Sequence, residues 1–159
     1  MRTVHWLFVV SAALFVSGIG FVVAAGRTTP EAPPVQRLIT PVASVLQIMN
    51  GITAPAATVV FASVGTVISF DGVLETVPRT DAEWQAVGDS AAALIESGNL
   101  LMMGSWAADD GDWVTISQEM IEAGKVALKA IEAKDAQALL MSGEAINESC
   151  DNCHQRYLR

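Results

Sequence analysis

Three residues near the C-terminus have the types and spacing from which a cofactor site can be built. Cys150 and Cys153 are the only two cysteines of the chain, and His154, one of two histidines, follows directly. Two thiols three positions apart on a helix lie near one face, about 5–6 Å apart at Cβ, which suits addition to the two vinyl groups of a haem. The histidine is then placed beneath the ring, where an imidazole nitrogen can ligate iron. This C-x-x-C-H pattern therefore predicts covalent attachment of haem c.

Other uses of paired cysteines fit this chain less well. A thioredoxin-like redox pair follows a strand at a helix N-terminus, whereas no strand pattern precedes Cys150. A structural zinc site takes four ligands, and only three are at hand if His5 is removed with an N-terminal signal. A disulfide between positions i and i+3 of a helix has poor geometry. Haem attachment is therefore the favoured interpretation.

The N-terminal 25 residues have the pattern of an export segment. Arg2 is their one charged residue, and residues 6–25 are uncharged. A positive start, an apolar core and small residues at the exit are typical of a signal peptide, and Val23 and Ala25 fit the −3 and −1 cleavage positions. About 20 apolar residues can also span a bilayer, so an uncleaved membrane anchor formed by residues 6–25 stays open. Both alternatives predict a periplasmic location for the rest of the chain, outside the cytoplasm, where c-type haem is attached.

The composition favours a single acidic domain behind that segment. Of 159 residues, 52% are apolar and 16% are charged, with a mean hydropathy of +0.41. The formal charge is −8, and without Arg2 it becomes −9, because 8 basic and 17 acidic residues remain. Nucleic-acid binding is not expected, since a phosphate backbone requires a basic face. Two cysteines are too few for a disulfide-dense scaffold.

Hydrophobic spacing predicts the helices that position the cysteine motif. Residues 26–39 form a Pro-rich lead-in, and Thr40-Pro41 has the chemistry of a helix start. An inward stripe runs through this first helix, composed of Leu38, Val42, Val45, Met49 and Ile52. Gly51 and Pro55 predict a break near 51–54, after which the helix resumes over 56–64 with Val59, Val60, Phe61 and Val64 packed inward.

Three more helices follow, which together favour an all-α fold. Thr80 and Glu83 form a capping box that predicts a helix over 81–103 ending at Gly104. A stripe starting at Trp113 predicts a helix over 112–133, and Asp135 is expected to cap the last helix. Between the first two helices, Asp71-Gly72 is a turn signal that allows a small hairpin and an irregular loop equally. We expect an antiparallel four-helix bundle over residues 40–159, with haem c near its C-terminus.

A C-x-x-C-H motif within the last ten residues of a four-helix chain resembles the cytochrome c-prime family, the class II c-type cytochromes. That family continues the motif with x-x-Tyr/Phe-Arg. Here Tyr157 matches in place, while Arg159 is one residue late and Arg156 is an alternative. The resemblance extends over about residues 36–159, but only the C-terminal motif is specific. Ordinary class I cytochromes c carry the motif near the N-terminus instead.

The resemblance implies a role for the first helix, which lies over the distal haem face in this family. Some members place a methionine ligand there, and others leave the iron five-coordinate. Met49, on the inward stripe, is thus the candidate sixth ligand, and a thioether would raise the reduction potential. A gap-filling core methionine is the alternative. The rival methionines are Met102, Met103, Met120 and Met141, and the Gly51–Pro55 break could draw Met49 away from the iron.

The remaining side chains of interest have structural interpretations beside functional ones. Arg156 and Arg159 can pair with haem propionates or form a solvated helix end, and Tyr157 is expected beside the haem or in the core. The tryptophans Trp84, Trp106 and Trp113 are expected to pack in the core or at helix junctions. The acidic run 109–112 lacks a calcium-loop pattern and suits the N-terminus of the helix that follows.

These inferences predict an electron carrier rather than an enzyme, because no nucleophile–base set is visible. The acidic surface predicts a redox partner with a basic docking face. A five-coordinate haem protein that binds NO or CO is the alternative function. A third possibility is an assembly module that docks onto a larger oxidoreductase, and the pairing of family members implies a homodimer.

Overall fold

A computed structural model of the chain describes residues 2–26 and 40–158, with the side chains of residues 3–17 and 40–158. The chain divides into two compact units, Met1–Leu38 and Ile39–Arg159. The lead-in predicted over residues 26–39 lies, except for Gly26, outside the described residues. The same holds for Leu38 of the predicted stripe and for Arg159.

The first unit contains helix α1, Arg2–Gly26. Its described side chains are exposed and include the large apolar groups of Trp6, Phe8 and Phe15. A helix that is apolar on all sides is suited to an apolar environment rather than to one face of a soluble core. Export and anchoring both stay predictions for this segment.

The second unit is mostly helical, in agreement with the predicted all-α class. Its first helix consists of α2 (Val45–Ile48), a π-helical segment (Met49–Thr53) and α3 (Ala54–Ala62). The later helices are α4 (Asp81–Leu101), α5 (Asp112–Glu132) and α6 (Ala136–Tyr157), with a 3₁₀ turn at Gly104–Trp106. Helix α5 packs extensively against both α4 and α6, and α3 contacts α4.

The first helix starts later than Thr40-Pro41, so that prediction was wrong. Ser44 is the N-cap, because its Oγ accepts a hydrogen bond from the Gln47 N–H (3.2 Å) and the Gln47 Oε1 accepts one from the Ser44 N–H (2.8 Å). This capping box satisfies two backbone donors reciprocally, which Thr40 does not do. Val42, expected on the inward stripe, consequently lies before the helix and is exposed.

The break predicted near 51–54 takes the form of the π-helical segment. Pro55 has no N–H to donate to the carbonyl one turn earlier. Just before it, the Ala54 N–H bonds to the Met49 carbonyl, five residues back, and the helix continues without a gap. Among the described residues, the span Val45–Ala62 is long and apolar enough to cross a membrane. Ile48 and Val60 within this span are buried in the hydrophobic core of the second unit.

Small residues bring α4 and α5 close together. A Cβ added at Gly98 would lie 2.6 Å from Ile121 Cγ1, and one added at Gly124 would lie 2.7 Å from Ile95 Cγ1. We call the contact formed by Ile95, Gly98, Ile121 and Gly124 the α4–α5 seam.

The predicted capping box of Thr80 and Glu83 is present at the start of α4.

The segment after the first helix forms a β-hairpin, which is one of the two structures predicted for it. Strands β1 (Gly65–Ser69) and β2 (Gly72–Thr76) pair antiparallel, with Val67 opposite Leu74. Phe70 at the tip is exposed, as are the apolar residues of both strands. The other inward residues expected for the first helix divide, because Val60 and Val64 are buried while Val59 and Phe61 are partly exposed.

Candidate functional site

Helix α6 carries the cysteine motif and packs both cysteines against the hydrophobic core. It starts at the predicted cap, where Asp135 Oδ1 accepts a hydrogen bond from the Ala138 N–H (2.9 Å). Cys150 and Cys153 are half-buried and pack against the core, and no disulfide joins them. His154, on the same turn, is exposed. The motif therefore lies on one continuous helical wall, as its spacing predicts.

A cavity of about 470 Å³ opens beside this wall. Such a volume is within the range of small-molecule and cofactor sites, about 300–1,000 Å³. Three groups of residues bound it. Helix α6 contributes Cys150, Cys153 and His154; the first helix contributes Met49, Thr53, Ala57 and Phe61; and the sides are closed by Leu101, Ile116 and Met120. The lining is mainly apolar.

Met49, the candidate sixth ligand, lines the same cavity as Cys150, Cys153 and His154. Met120 lines this cavity as well and is buried. The rival methionines Met102, Met103 and Met141 are not among the lining residues. The structure therefore brings two of the candidate methionines, Met49 and Met120, to the cavity that the motif lines.

The two thiols differ electrostatically from those of a redox or nucleophilic cysteine. Burial raises the pKa of Cys150, an effect that a hydrogen bond with Ser149 partly offsets and the nearby charge of Asp151 reinforces. Burial also raises the pKa of Cys153, with Cys150 adding to the effect. Reactive redox thiols have lowered pKa values instead. Within the described residues, moreover, no three His, Cys, Asp or Glu side chains converge as a metal site would require.

Thr53 is a site residue that the sequence analysis missed. Its side chain is 4% exposed and lines the cavity, and among the described buried side chains its Oγ1 is the polar atom left without a hydrogen-bond partner. The buried hydroxyls of Ser142 and Ser149 each donate to the carbonyl three residues back, at 2.7 Å. Because buried polar groups are nearly always paired, the unpaired hydroxyl of Thr53 is available to an acceptor that occupies the cavity.

The end of α6 is fastened to the loop before α5. The Tyr157 hydroxyl donates to Asp109 Oδ2 (2.5 Å), and its ring packs edge-on against Trp113 with centroids 5.0 Å apart. The hydrogen bond from Tyr157, followed by those from the backbone N–H groups of Trp113 and Gly111, lowers the pKa of Asp109. Asp109 thus accepts hydrogen bonds from two backbone N–H groups at the start of α5, and Tyr157 holds the helical turn that carries His154.

Arg156 lies away from the cavity and pairs with Asp112, with its guanidinium 5.9 Å from the centroid of the Tyr157 ring. Its pairing with haem propionates stays a prediction. The tryptophans pack at helix junctions as predicted: the Trp113 indole donates to the Leu101 carbonyl and the Trp106 indole to the Ala43 carbonyl, each at 2.7 Å.

In comparisons with known proteins, the chain matches no family model, no curated protein and no solved structure.

Proposed function

We propose that this protein is a c-type cytochrome that transfers single electrons through a haem c attached to Cys150 and Cys153, with His154 as the proximal ligand. The observation that carries the proposal is that the C-x-x-C-H motif lines a mainly apolar cavity of about 470 Å³, which Met49 lines as well. An apolar cavity with a few convergent polar groups is the usual form of a cofactor site.

The residues around the cavity fit a haem. Cys150 and Cys153 would hold the group through thioether bonds, and His154 would bind it from the α6 side. The apolar side chains of Ala57, Leu101 and Ile116 would exclude water from its faces. Bound there, the haem supplies one-electron Fe(III)/Fe(II) chemistry, and the protein's part is attachment, axial ligation and burial.

The proposal includes the finer architecture and the surroundings of the protein. The first helix and helices α4, α5 and α6 would form an antiparallel four-helix bundle of the cytochrome c-prime kind. An export signal or an anchor in residues 1–25 would place it in the periplasm, where haem c is attached. A formal charge of −9 without that segment suits a redox partner with a basic docking face.

Visible spectra of the exported protein, oxidised and reduced, test the proposal and its sixth ligand together. Met49 and Met120 both line the cavity, and Met49 is the candidate sixth ligand, so we expect a low-spin ferric spectrum with the absorption band of a methionine-ligated haem, which Met49→Ala abolishes. Met120→Ala is the rival test. Met141→Ala on the outer face of α6, where the side chain is 64% exposed, is the matched control. A spectrum unchanged by Met49→Ala rejects Met49 as the ligand, and the absence of haem bands rejects the proposal.

A second candidate function is reversible binding of NO or CO by a five-coordinate haem. The unpaired hydroxyl of Thr53 on the cavity wall favours it, because such a donor can serve a ligand that enters from solution. A high-spin ferric spectrum that shifts when NO is added would support this function over that of an electron carrier.

A further inference from the structure

Thr53 and Thr58 lie on the same helix and both line the cavity, but their hydroxyls differ. Thr58 Oγ1 donates to the Ala54 carbonyl, four residues back, at 2.8 Å, and its side chain is exposed. Thr53 is 4% exposed, and its hydroxyl bonds neither to a carbonyl of its own helix nor to another side chain. A threonine within a helix can donate its hydroxyl to the carbonyl four residues back. Thr58 makes this hydrogen bond, and Thr53 does not.

The backbone around Thr53 accounts for part of this difference. Thr53 ends the π-helical segment, where the Ala54 N–H already bonds to the Met49 carbonyl. Single π-helical turns within α-helices occur frequently at functional sites. A buried hydroxyl without a partner is costly for a folded protein, and an acceptor that enters the cavity would remove this cost.

The chemistry of the available acceptors selects the partner. A thioether sulfur is a weak acceptor, so Met49, one turn earlier, would leave the hydroxyl of Thr53 largely unsatisfied. An oxygen or nitrogen atom of a small molecule would satisfy it. We infer that Thr53 is the hydrogen-bond donor for a small exogenous ligand, an anion or diatomic with an oxygen or nitrogen acceptor, bound on the Met49 side of the haem. This inference rests on the proposed function.

Azide binding to the ferric, haem-loaded protein tests the inference. The Met49→Ala variant is the background, because it removes a competing thioether from the site. In that background Thr53→Val keeps the side-chain shape and deletes the donor. Thr115→Val is the matched control, because Thr115 is exposed, lies outside the cavity lining and donates its hydroxyl to the Gly111 carbonyl at 3.1 Å. We expect Thr53→Val to weaken azide binding roughly 5- to 10-fold, the loss of about one hydrogen bond, and Thr115→Val to leave it within about 2-fold.

A second readout is the stabilisation of the same variants by azide. Ligand binding stabilises the folded protein by RT ln(1 + [L]/Kd), so at one azide concentration the rise in Tm should be smaller for Thr53→Val than for Thr115→Val. Without azide, Thr53→Val should melt no earlier than its parent, because it removes an unpaired polar atom.

The two proposals fail in different ways. If haem bands are absent from the wild-type protein, the proposed function fails and the role of Thr53 fails with it. If haem is present but Thr53→Val binds azide as tightly as its parent, the role of Thr53 alone is overturned. A changed reduction potential with unchanged azide affinity also overturns it, because the hydroxyl then serves the haem rather than a ligand.

Discussion

The packed helices of the second unit fit tightly on one side and leave a cavity on the other. At the α4–α5 seam, Gly98 and Gly124 let isoleucines of the opposite helix approach so closely that an added Cβ would clash at 2.6–2.7 Å. Between the first helix and α6 lies a cavity of about 470 Å³, which Met49 and the cysteine motif both line. The protein thus fills one interface with its own side chains, and the cavity at the other is the site that we propose for the haem.

Backbone regularity follows the same division. Helices α4 and α5 are regular over 21 residues each, whereas the first helix changes to π-helical geometry at Met49–Thr53. Protein interiors are close-packed, and large voids are rare. We therefore assign function to the side that contains the cavity and the π-helical segment. We assign a stabilising role to the α4–α5 seam.

The largest expected effect is on the side that contains the cavity. Replacing Cys150 and Cys153 together by serine should abolish haem attachment completely, because the two thioether bonds have no substitute in a chain with two cysteines. Circular dichroism should still show helix from the α4–α5 seam, which is filled by its own residues. Ser142→Ala, also on α6, is the control that should retain the haem. Full haem incorporation by the double variant would contradict the account.

A smaller effect is expected at the seam. Gly124→Ala should lower the free energy of unfolding by about 1–3 kcal/mol, because the added methyl overpacks against Ile95. Gly51→Ala in the π-helical segment is the matched control, since a Cβ there meets nothing within 4 Å. It should be neutral or stabilising, by up to about 1 kcal/mol, because alanine favours helix over glycine.

Thermal melts of the two glycine variants distinguish the two regions directly. If Gly124→Ala lowered the Tm no more than Gly51→Ala does, the α4–α5 seam would have room for an added methyl group. The proposed difference in packing between the two interfaces would then be wrong.

The smallest expected effect concerns the fastening of α6. Tyr157→Phe removes the hydrogen bond to Asp109, the largest cause of the lowered pKa of that carboxyl. A lowered pKa adds stability above the ordinary value of 3.8, and this stability is lost as the pH falls below it. We therefore expect a modest decrease in Tm near neutral pH that vanishes in acid.

Melting curves of wild type and Tyr157→Phe between about pH 7 and pH 3 measure this difference. Thr115→Val, on the next turn of α5, is a control in which no such pH dependence should occur. A Tm difference that stays constant over the range would show that the tyrosine acts through packing on Trp113 instead.

Local chemistry made parts of the fold predictable. Thr80 with Glu83 and Asp135 mark helix starts because the caps lie within a few residues of the donors they satisfy. The cysteine motif and Met49 could be assigned to inward faces from helical spacing alone. The start at Ser44 was missed, since Thr40-Pro41 has competing start chemistry nearby.

Thr53 could not have been found in this way. Its significance depends on burial against other helices and on the π-helical turn, both of which are tertiary outcomes. The only sequence signal was its position four residues after Met49, on the same face. The Asp109–Tyr157 bond, between residues 48 positions apart, is likewise invisible to local patterns.

Covalent haem attachment is tested most directly by the intact mass of the exported protein, measured under denaturing conditions. We predict the mass of the chain plus one haem, retained after acid and organic solvent because both thioether bonds are covalent, in cells that carry out c-type haem attachment. The mass of the bare polypeptide, with Cys150 and Cys153 free to react with a thiol reagent, would contradict it.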